Sequence, residues 1–524
     1  MMNRRNFIKH TATAATVIGG HPLYADHTNP MVQALMEMMY NTDRVLIIIQ
    51  QNGGNDGLNT IFPLDQYDNL KAARSNMLMP ATSILKLTDK TGIHPAMEGV
   101  YNLFKDGKAG VVQSVGYPSF NYSHFRATDI WLTGSDADEY LDSGWAGRYL
   151  NYEYPNYPVG FPNTTMPDPL AIRVGESVGL GLQMMGVNMG ISINSASDPL
   201  DLTGSIFKDP ATNNYVGKEL SYLREVQRQT DKFGDVIVAA YSKSATKSTK
   251  YPANSLANQL KIVARLIAGG LKTRIYWVSL GGFDTHSNQV DVSDYTKGTH
   301  ANLLKSLSDN ISAFMDDTKL MGLEDRIAGF SFSEFGRRIK SNASQGTDHG
   351  SAIPVIYFGK NINSQVIGSN PVIPSTVSTG SNLPMLYDFR SIYGSFLNQW
   401  FCVPQTDVDK LLHDKFQNLP ILKTTNCLST ATHDDNVNSG KAVIKIYPNP
   451  FVDRATLEYE SDGGMLRIQI LNNLGSVIKS IVNKEVAKGK YTIDIDLEGQ
   501  SNGIYYIRWE NGPLSQVKPM VKVK

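Results

Sequence analysis

Cysteine is almost missing from this chain. Two residues in 524, Cys402 and Cys427, exclude a disulfide framework and leave room for one bridge in an oxidising compartment. An excess of charge of either sign is missing too. Lys plus Arg and Asp plus Glu each number 49, so no global field draws in nucleic acid or an anionic membrane, and any anion recognition must be local. Nowhere does the sequence reach the roughly 18 consecutive apolar residues that a membrane-spanning helix needs. With 41% hydrophobic and 19% charged residues the composition is that of globular protein, and the length predicts two or three domains.

The front of the chain carries a distinct pattern. Asn3-Arg4-Arg5-Asn6-Phe7-Ile8-Lys9 sets paired arginines before two apolar residues and a lysine. A weakly apolar run from Thr11 to Gly20 follows, then Leu23-Tyr24-Ala25. Residues 1–25 resemble a twin-arginine signal peptide, against the plainer reading of a loose basic N-terminus. The resemblance implies the twin-arginine translocon as a partner and folding before export to the periplasm.

Residues 40–422 alternate between strand and helix patterns. Arg44 to Ile49 is a short apolar run rich in β-branched residues, as a strand buried on both faces requires. Similar runs recur at Ala109 to Val115, Leu170 to Val174, Arg274 to Leu280, Ile327 to Phe332 and Ile353 to Phe358. Helical patterns lie between them at His94 to Phe104, Ser255 to Ile267 and His300 to Leu320. In the last, Leu304, Leu307, Ile311, Phe314 and Met315 form one apolar stripe. The alternation predicts an α/β domain with a mostly parallel sheet covered by helices on both faces, and ligands at the carboxyl ends of its strands.

The pattern then changes. Residues 423–440, rich in Thr, Ser, Asn and Asp, read as a linker. In 441–524 period-two alternation takes over, as in Leu466, Ile468 and Ile470, with turns at Asp462-Gly463-Gly464, Lys488-Gly489 and Asn502-Gly503. About seven short strands and a small all-β sandwich are expected. Ile446-Tyr447-Pro448-Asn449-Pro450-Phe451, Leu474-Gly475, Asn502-Gly503-Ile504-Tyr505-Tyr506 and the closing Val521-Lys522-Val523-Lys524 resemble the C-terminal sorting domain of the type IX secretion system. That resemblance implies the type IX machinery as a partner and secretion or attachment at the cell surface. A generic β-sandwich binding module is the alternative.

Four polar clusters follow strands of the large domain. They are Gly53-Gly54-Asn55-Asp56-Gly57, Tyr122-Ser123-His124-Phe125, Gly282-Phe283-Asp284-Thr285-His286, and Ser333-Glu334-Phe335-Gly336-Arg337-Arg338 with Gly346-Thr347-Asp348-His349-Gly350. Any one of them could be a turn or a cap. Together, carboxylates and imidazoles from separate strand ends can meet at one divalent ion, and the lack of cysteine argues against a structural zinc site.

The order of these clusters resembles the alkaline-phosphatase/sulfatase-like superfamily and, more closely, its exported branch, domain-of-unknown-function family 1501. The resemblance implies Asp56 as first-strand metal ligand, Asp284, His286 and His349 around one ion, and Glu334 at a second. Ser123 would take the nucleophile position, with a helix N-cap as its plainer role. By their own chemistry Arg337 and Arg338 could grip an anionic substrate bidentately, with one of them serving structure instead. Phe335 stands where the superfamily pattern offers a histidine, which puts the second ion in doubt. The spacing of Asp284 and His286 is shorter than in the wider superfamily. No formylglycine signature surrounds Ser123.

The cofactor implied is one or two divalent ions of zinc, manganese or calcium. The activity implied is hydrolysis of phosphate or sulfate esters, the substrate being an anionic ester, free or glycan-linked. A metal- or glycan-binding surface protein that keeps the fold without turnover is the competing reading. Trp131 and Trp145 are expected in the core and His94 at a helix start. His124 is expected to face away from the site.

Overall fold

In this computed structural model, residues 43–155, 157–194, 233–423, 444–448, 451–471, 477–501, 503–511 and 514–523 are described. The expected signal peptide, all but Lys423 of the linker, and Cys427 with any pairing to Cys402 lie outside the described residues. The chain divides into two compact units, within residues 40–428 and 429–524.

The larger unit is built on a nine-stranded sheet. Its strands are β1 (Val45–Asn52), β2 (Ala109–Gly116), β3 (Ala171–Val174), β4 (Ile191–Ile193), β5 (Ile275–Gly281), β6 (Ile327–Ser333), β7 (Ile353–Gly359), β8 (Val366–Ile367) and β9 (Tyr387–Asp388). The order across the sheet is β8-β2-β7-β6-β1-β5-β3-β4, with β9 also paired to β2. Every pairing is parallel except those of β7, which runs against both β6 and β2.

Helices cover both faces. Leu46 and Ile48 of β1 join one core with α3 (His124–Thr133), α4 (Trp145–Glu153) and α7 (Arg390–Gln399). Val45, Ile47 and Ile49 join the other with α2 (Glu98–Lys105), α5 (Ser255–Ala268) and α6 (Thr299–Leu320). A short helix, α1 (Tyr67–Ala73), precedes Arg74. The α6 stripe of Leu304, Leu307, Ile311 and Phe314 is fully buried, and each such side chain stabilises by about 1.5–3 kcal/mol. Trp131 stacks on Phe332 and Trp145 on Tyr393 inside the first core, and His94 is buried at a helix start, accepting from the Ala96 N–H.

Registration of the central strands places the site. Asn52 of β1 lies opposite Gly281 of β5, and Gln51 opposite Ser333 of β6, so three adjacent parallel strands end at one level. The chain leaving β1 turns through Gly53 and Gly54, both at positive φ. A Cβ on Gly53 would lie 2.4 Å from the Asp284 backbone nitrogen, and one on Gly54 2.3 Å from the Phe335 ring. Only glycine lets these three strand ends crowd together.

The smaller unit is a five-stranded antiparallel sheet of β10 (Ile444–Tyr447), β11 (Arg454–Leu471), β12 (Val477–Asp496), β13 (Gly503–Asn511) and β14 (Leu514–Lys522). Leu457, Ile468, Ile507 and Trp509 are in its core. The expected seven short strands are five among the described residues, because two expected turns lie inside long strands. Asp462 pairs with Lys488 and Gly464 with Val486, so β11 and β12 continue together through Gly463 and Gly464, both at positive φ. Glycine pairs of this kind bend a strand as readily as they end it.

Candidate metal centre

Asp284 and His286 leave β5, Glu334 and Phe335 leave β6, and His349 lies on the loop that returns toward β7. That loop is fixed by short antiparallel pairing with the β6 exit, where the Gly350 N–H donates to the Gly336 carbonyl (2.8 Å) and the Arg338 N–H to the Asp348 carbonyl (2.9 Å). His124 is the first residue of α3. First-turn side chains tilt toward a helix's N-terminus, and this tilt brings His124 to the strand ends.

Three imidazoles surround the carboxylate of Asp284. Its Oδ1 lies 3.1 Å from His286 Nε2 and 3.2 Å from His349 Nε2, and its Oδ2 lies 3.4 Å from His124 Nε2. The other nitrogen of each ring faces an acceptor. His124 Nδ1 is 2.7 Å from Glu334 Oε1, His286 Nδ1 is 3.2 Å from Asp348 Oδ1, and His349 Nδ1 is 2.8 Å from the Tyr122 carbonyl. The acceptor behind each ring can hold the proton on Nδ1, which leaves Nε2 free to offer a lone pair to a cation. His124 Nε2 is buried without a hydrogen-bond partner. Ligand atoms of His124, Asp284 and His349 all lie within 4.8 Å of one another.

This donor set fits a divalent ion. Nitrogens gathered on one carboxylate can share a cation with it, and an orienting acceptor on the far nitrogen is the usual support of a histidine ligand. Electrostatics point the same way. Burial works to raise the Asp284 pKa, but hydrogen bonds from Arg337 and His349 outweigh it and draw the carboxyl down to about 2. Burial lowers His349. The hydrogen bond to Glu334 raises His124.

Not every expected site residue joins this cluster. Asp56 is wholly buried, with Oδ2 bonded to Arg74 Nη1 (2.7 Å) and Gln289 Nε2 (2.6 Å). Burial raises its pKa, and the charge and hydrogen bond of Arg74 outweigh that and lower it. Glu334 stands behind His124, its Oε1 also accepting from the Gly53 N–H (2.9 Å) and its Oε2 lying 3.0 Å from Ser333 Oγ. Arg337 is buried, and donates to the carbonyls of Gly53, Gly54 (2.6 Å), Phe283 (3.1 Å) and Thr347 (2.7 Å) and to Asp284 Oδ1 (2.6 Å). Its donors bind strand ends together and hold Asp284. Phe335 fills the space behind the imidazoles, its ring centroid 4.9 Å from that of His124 and 4.6 Å from that of His349.

Ser123 is the N-cap residue of α3, exposed, with no side-chain capping bond. Beside His124 and Asp284 a cleft of ≈ 430 Å³ opens, with Asn52, Phe125, Thr128 and Asp129 among its walls and, among the described residues, no Lys or Arg. A larger hollow of ≈ 710 Å³ at Asp65, Asp68 and Asp89 is lined by no histidine. The chemistry places the site at the smaller cleft.

Sequence reasoning set His124 aside as facing elsewhere. Its place directly after a helix cap was the available signal. Asp348 and Gln289 gave none, because their partners are distant in the chain.

A family model described as "Protein of unknown function (DUF1501)" matches residues 43–412, and one described as "Secretion system C-terminal sorting domain" matches residues 445–523. The second match marks the chain for secretion through the type IX machinery, to the surface or beyond it. No curated protein matches. Among solved structures the chain is similar to an alkaline phosphatase superfamily protein from Vibrio parahaemolyticus, at 10% identity, covering 100% of this chain and 92% of that one, TM-score 0.28. It is similar to the alkaline phosphatase of the Antarctic bacterium TAB5, at 12% identity, 64% and 97% coverage, TM-score 0.22. A third likeness is to the PsFucS1 sulfatase from Pseudoalteromonas sp., at 10% identity, 88% and 85% coverage, TM-score 0.26. These likenesses are too slight to carry a residue or an activity across.

Proposed function

We propose that this chain, which belongs through residues 43–412 to the family described as Protein of unknown function (DUF1501), is an exported metal-dependent hydrolase of phosphate or sulfate esters. The observation that supports this most directly is the set of Nε2 atoms of His124, His286 and His349 gathered at Asp284, each ring oriented from behind. These residues would hold one divalent ion. Mixed imidazole and carboxylate ligands suit zinc or manganese, whereas calcium prefers oxygen alone. When bound, the ion supplies Lewis acidity toward a non-bridging ester oxygen and neutralises charge that develops there.

The remaining work falls to the chain's own groups. Arg337 and Glu334 position Asp284 and His124. Ser123, with its hydroxyl free of a capping bond, is the proposed nucleophile. The N–H groups and dipole of the first turn of α3 favour the anionic form of an attacking oxygen and of the ester beside it. Export would begin at the twin-arginine translocon, pass through the periplasm and end with the type IX machinery.

One observation favours the second reading, a metal- or glycan-binding protein without turnover. The expected anion clamp, Arg337, is buried, and among the described residues the cleft offers an anion no Lys or Arg. The test uses the full chain loaded with zinc or manganese against chromogenic phosphate monoesters, phosphate diesters and sulfate esters. Turnover on one class, lost in Ser123→Ala while the metal stays bound, is the expected result. A bound metal with no turnover on any class transfers the assignment to the second reading.

A further inference from the structure

Behind the imidazoles lies a buried side chain that touches both ligand-bearing loops. Gln289, fully buried, accepts at Oε1 from Thr285 Oγ1 (3.0 Å) and Thr347 Oγ1 (2.8 Å), and donates from Nε2 to Asp56 Oδ2 (2.6 Å). Thr285 sits between Asp284 and His286, and Thr347 two residues before His349. The orientation of the amide follows from its partners. Two hydroxyls can donate to the oxygen, while an ionised carboxylate only accepts, so the NH₂ must face Asp56.

Asp56 is in turn anchored. Its ion pair with Arg74 is buried, and Arg74 also donates from Nε to the Ile339 carbonyl (2.8 Å) and from Nη2 to the Arg338 carbonyl (2.7 Å). The exits of β1, β5 and β6 and the loop carrying His349 therefore share one polar hub. Backbone bonds already lay the two loops side by side, from the Gln289 N–H to the Gln345 carbonyl (2.9 Å) and from the Thr347 N–H to the Thr285 carbonyl (3.2 Å). What the side chain of Gln289 adds is a link from both threonine hydroxyls to the charged pair Asp56–Arg74.

We infer that Gln289 is a positioning residue that sets the spacing of Asp284 and His286 against His349, and that Asp56 serves this latch. The inference rests on the metal reading for its consequence, though the latch itself does not need a metal. Its removal leaves two buried hydroxyls and a carboxylate oxygen short of a partner, a cost that falls on both ligand loops at once.

The test compares Thr285→Val/Thr347→Val, which keeps shape and removes both hydroxyls, with Thr285→Ser/Thr347→Ser, which keeps the hydroxyls, and with Gln289→Met. Zinc affinity of the full chain is read by competition with a chromogenic chelator. Amide hydrogen exchange of residues 284–289 and 345–349 is read in metal-free protein. Expected in the Val/Val and Met variants are zinc affinity weaker by about 10- to 100-fold, as for outer-shell partners elsewhere, and faster exchange in both segments together. The Ser/Ser variant should restore both. Wild-type exchange in the Val/Val and Met variants overturns the latch whether or not zinc binds. Unchanged zinc affinity beside a wild type that binds zinc overturns its positioning role. If the wild type binds no zinc, the metal reading falls and the exchange readout still decides the latch.

Discussion

His286 Nε2 stands 2.9 Å from His349 Nε2, and both rings have their other nitrogen turned to an acceptor. With the proton of each ring on Nδ1, the two facing Nε2 lone pairs gain from any shared cation. Adding zinc or manganese at neutral pH should therefore raise the melting temperature of the large domain. Free metal at about 100 times its dissociation constant stabilises by about 2.7 kcal/mol. His349→Ala should lose most of that shift. A melting temperature indifferent to every divalent ion tried would count against the pairing.

Glu334 acts through His124. Glu334→Gln keeps the shape but offers His124 Nδ1 a weaker acceptor, or none if the amide turns its NH₂ inward. Metal affinity should drop by about 10- to 100-fold. A chelator competition assay checks this, and affinity equal to wild type would make Glu334 a packing residue.

Acid should weaken the fold through two buried histidines outside the centre. Burial depresses His94 from 6.5 to about 3 and His300 from 6.5 to about 4. Both are neutral in the folded state, and the unfolded chain takes up their protons first. Stability is therefore complete above about pH 6.5 and is lost as pH falls toward 4, each unit of depression being worth about 1.4 kcal/mol per group. Melts of metal-free protein across this range should show the loss, and His300→Gln should flatten the slope. An equally steep slope in that variant would assign the acid sensitivity elsewhere.

Removal of residues 441–524 should leave the large domain folded and retained in the cell envelope. The described strands of the smaller unit pair only with one another, and that unit carries the sorting match. Fractionation finding the shortened chain in the medium or at the surface would contradict the assignment.

Much of the fold was legible because β1, β5, β6 and β7 are buried on both faces, which leaves nearly unbroken apolar runs in the sequence. The reversed direction of β7 was not legible, since a strand buried on both faces reads alike in either direction. Neither were β8 and β9, two residues each and too short for any period. At the site, Asp284 and His286 announced themselves as polar residues closing an apolar run, and His349 as part of a polar cluster ahead of the next one. The true surroundings of Asp56 and Arg337 did not. Asp56 meets Gln289 across 233 positions of sequence and Arg337 meets Gly54 across 283, and no local pattern encodes such partners. For the same reason a histidine at the start of α3 looked like a helix-surface residue until Glu334, 210 positions away, fixed its ring.

The metal content of the purified chain tests the centre most directly. Mass spectrometry of wild type exposed to zinc and manganese and then freed of excess should find about one ion per chain. His124→Ala, Asp284→Ala and His349→Ala should each lose most of it, because ligands of one ion act as a unit. Ser123→Ala should retain it in full. Wild-type protein with no bound divalent metal, or His124→Ala with an undiminished load, would contradict the centre described here.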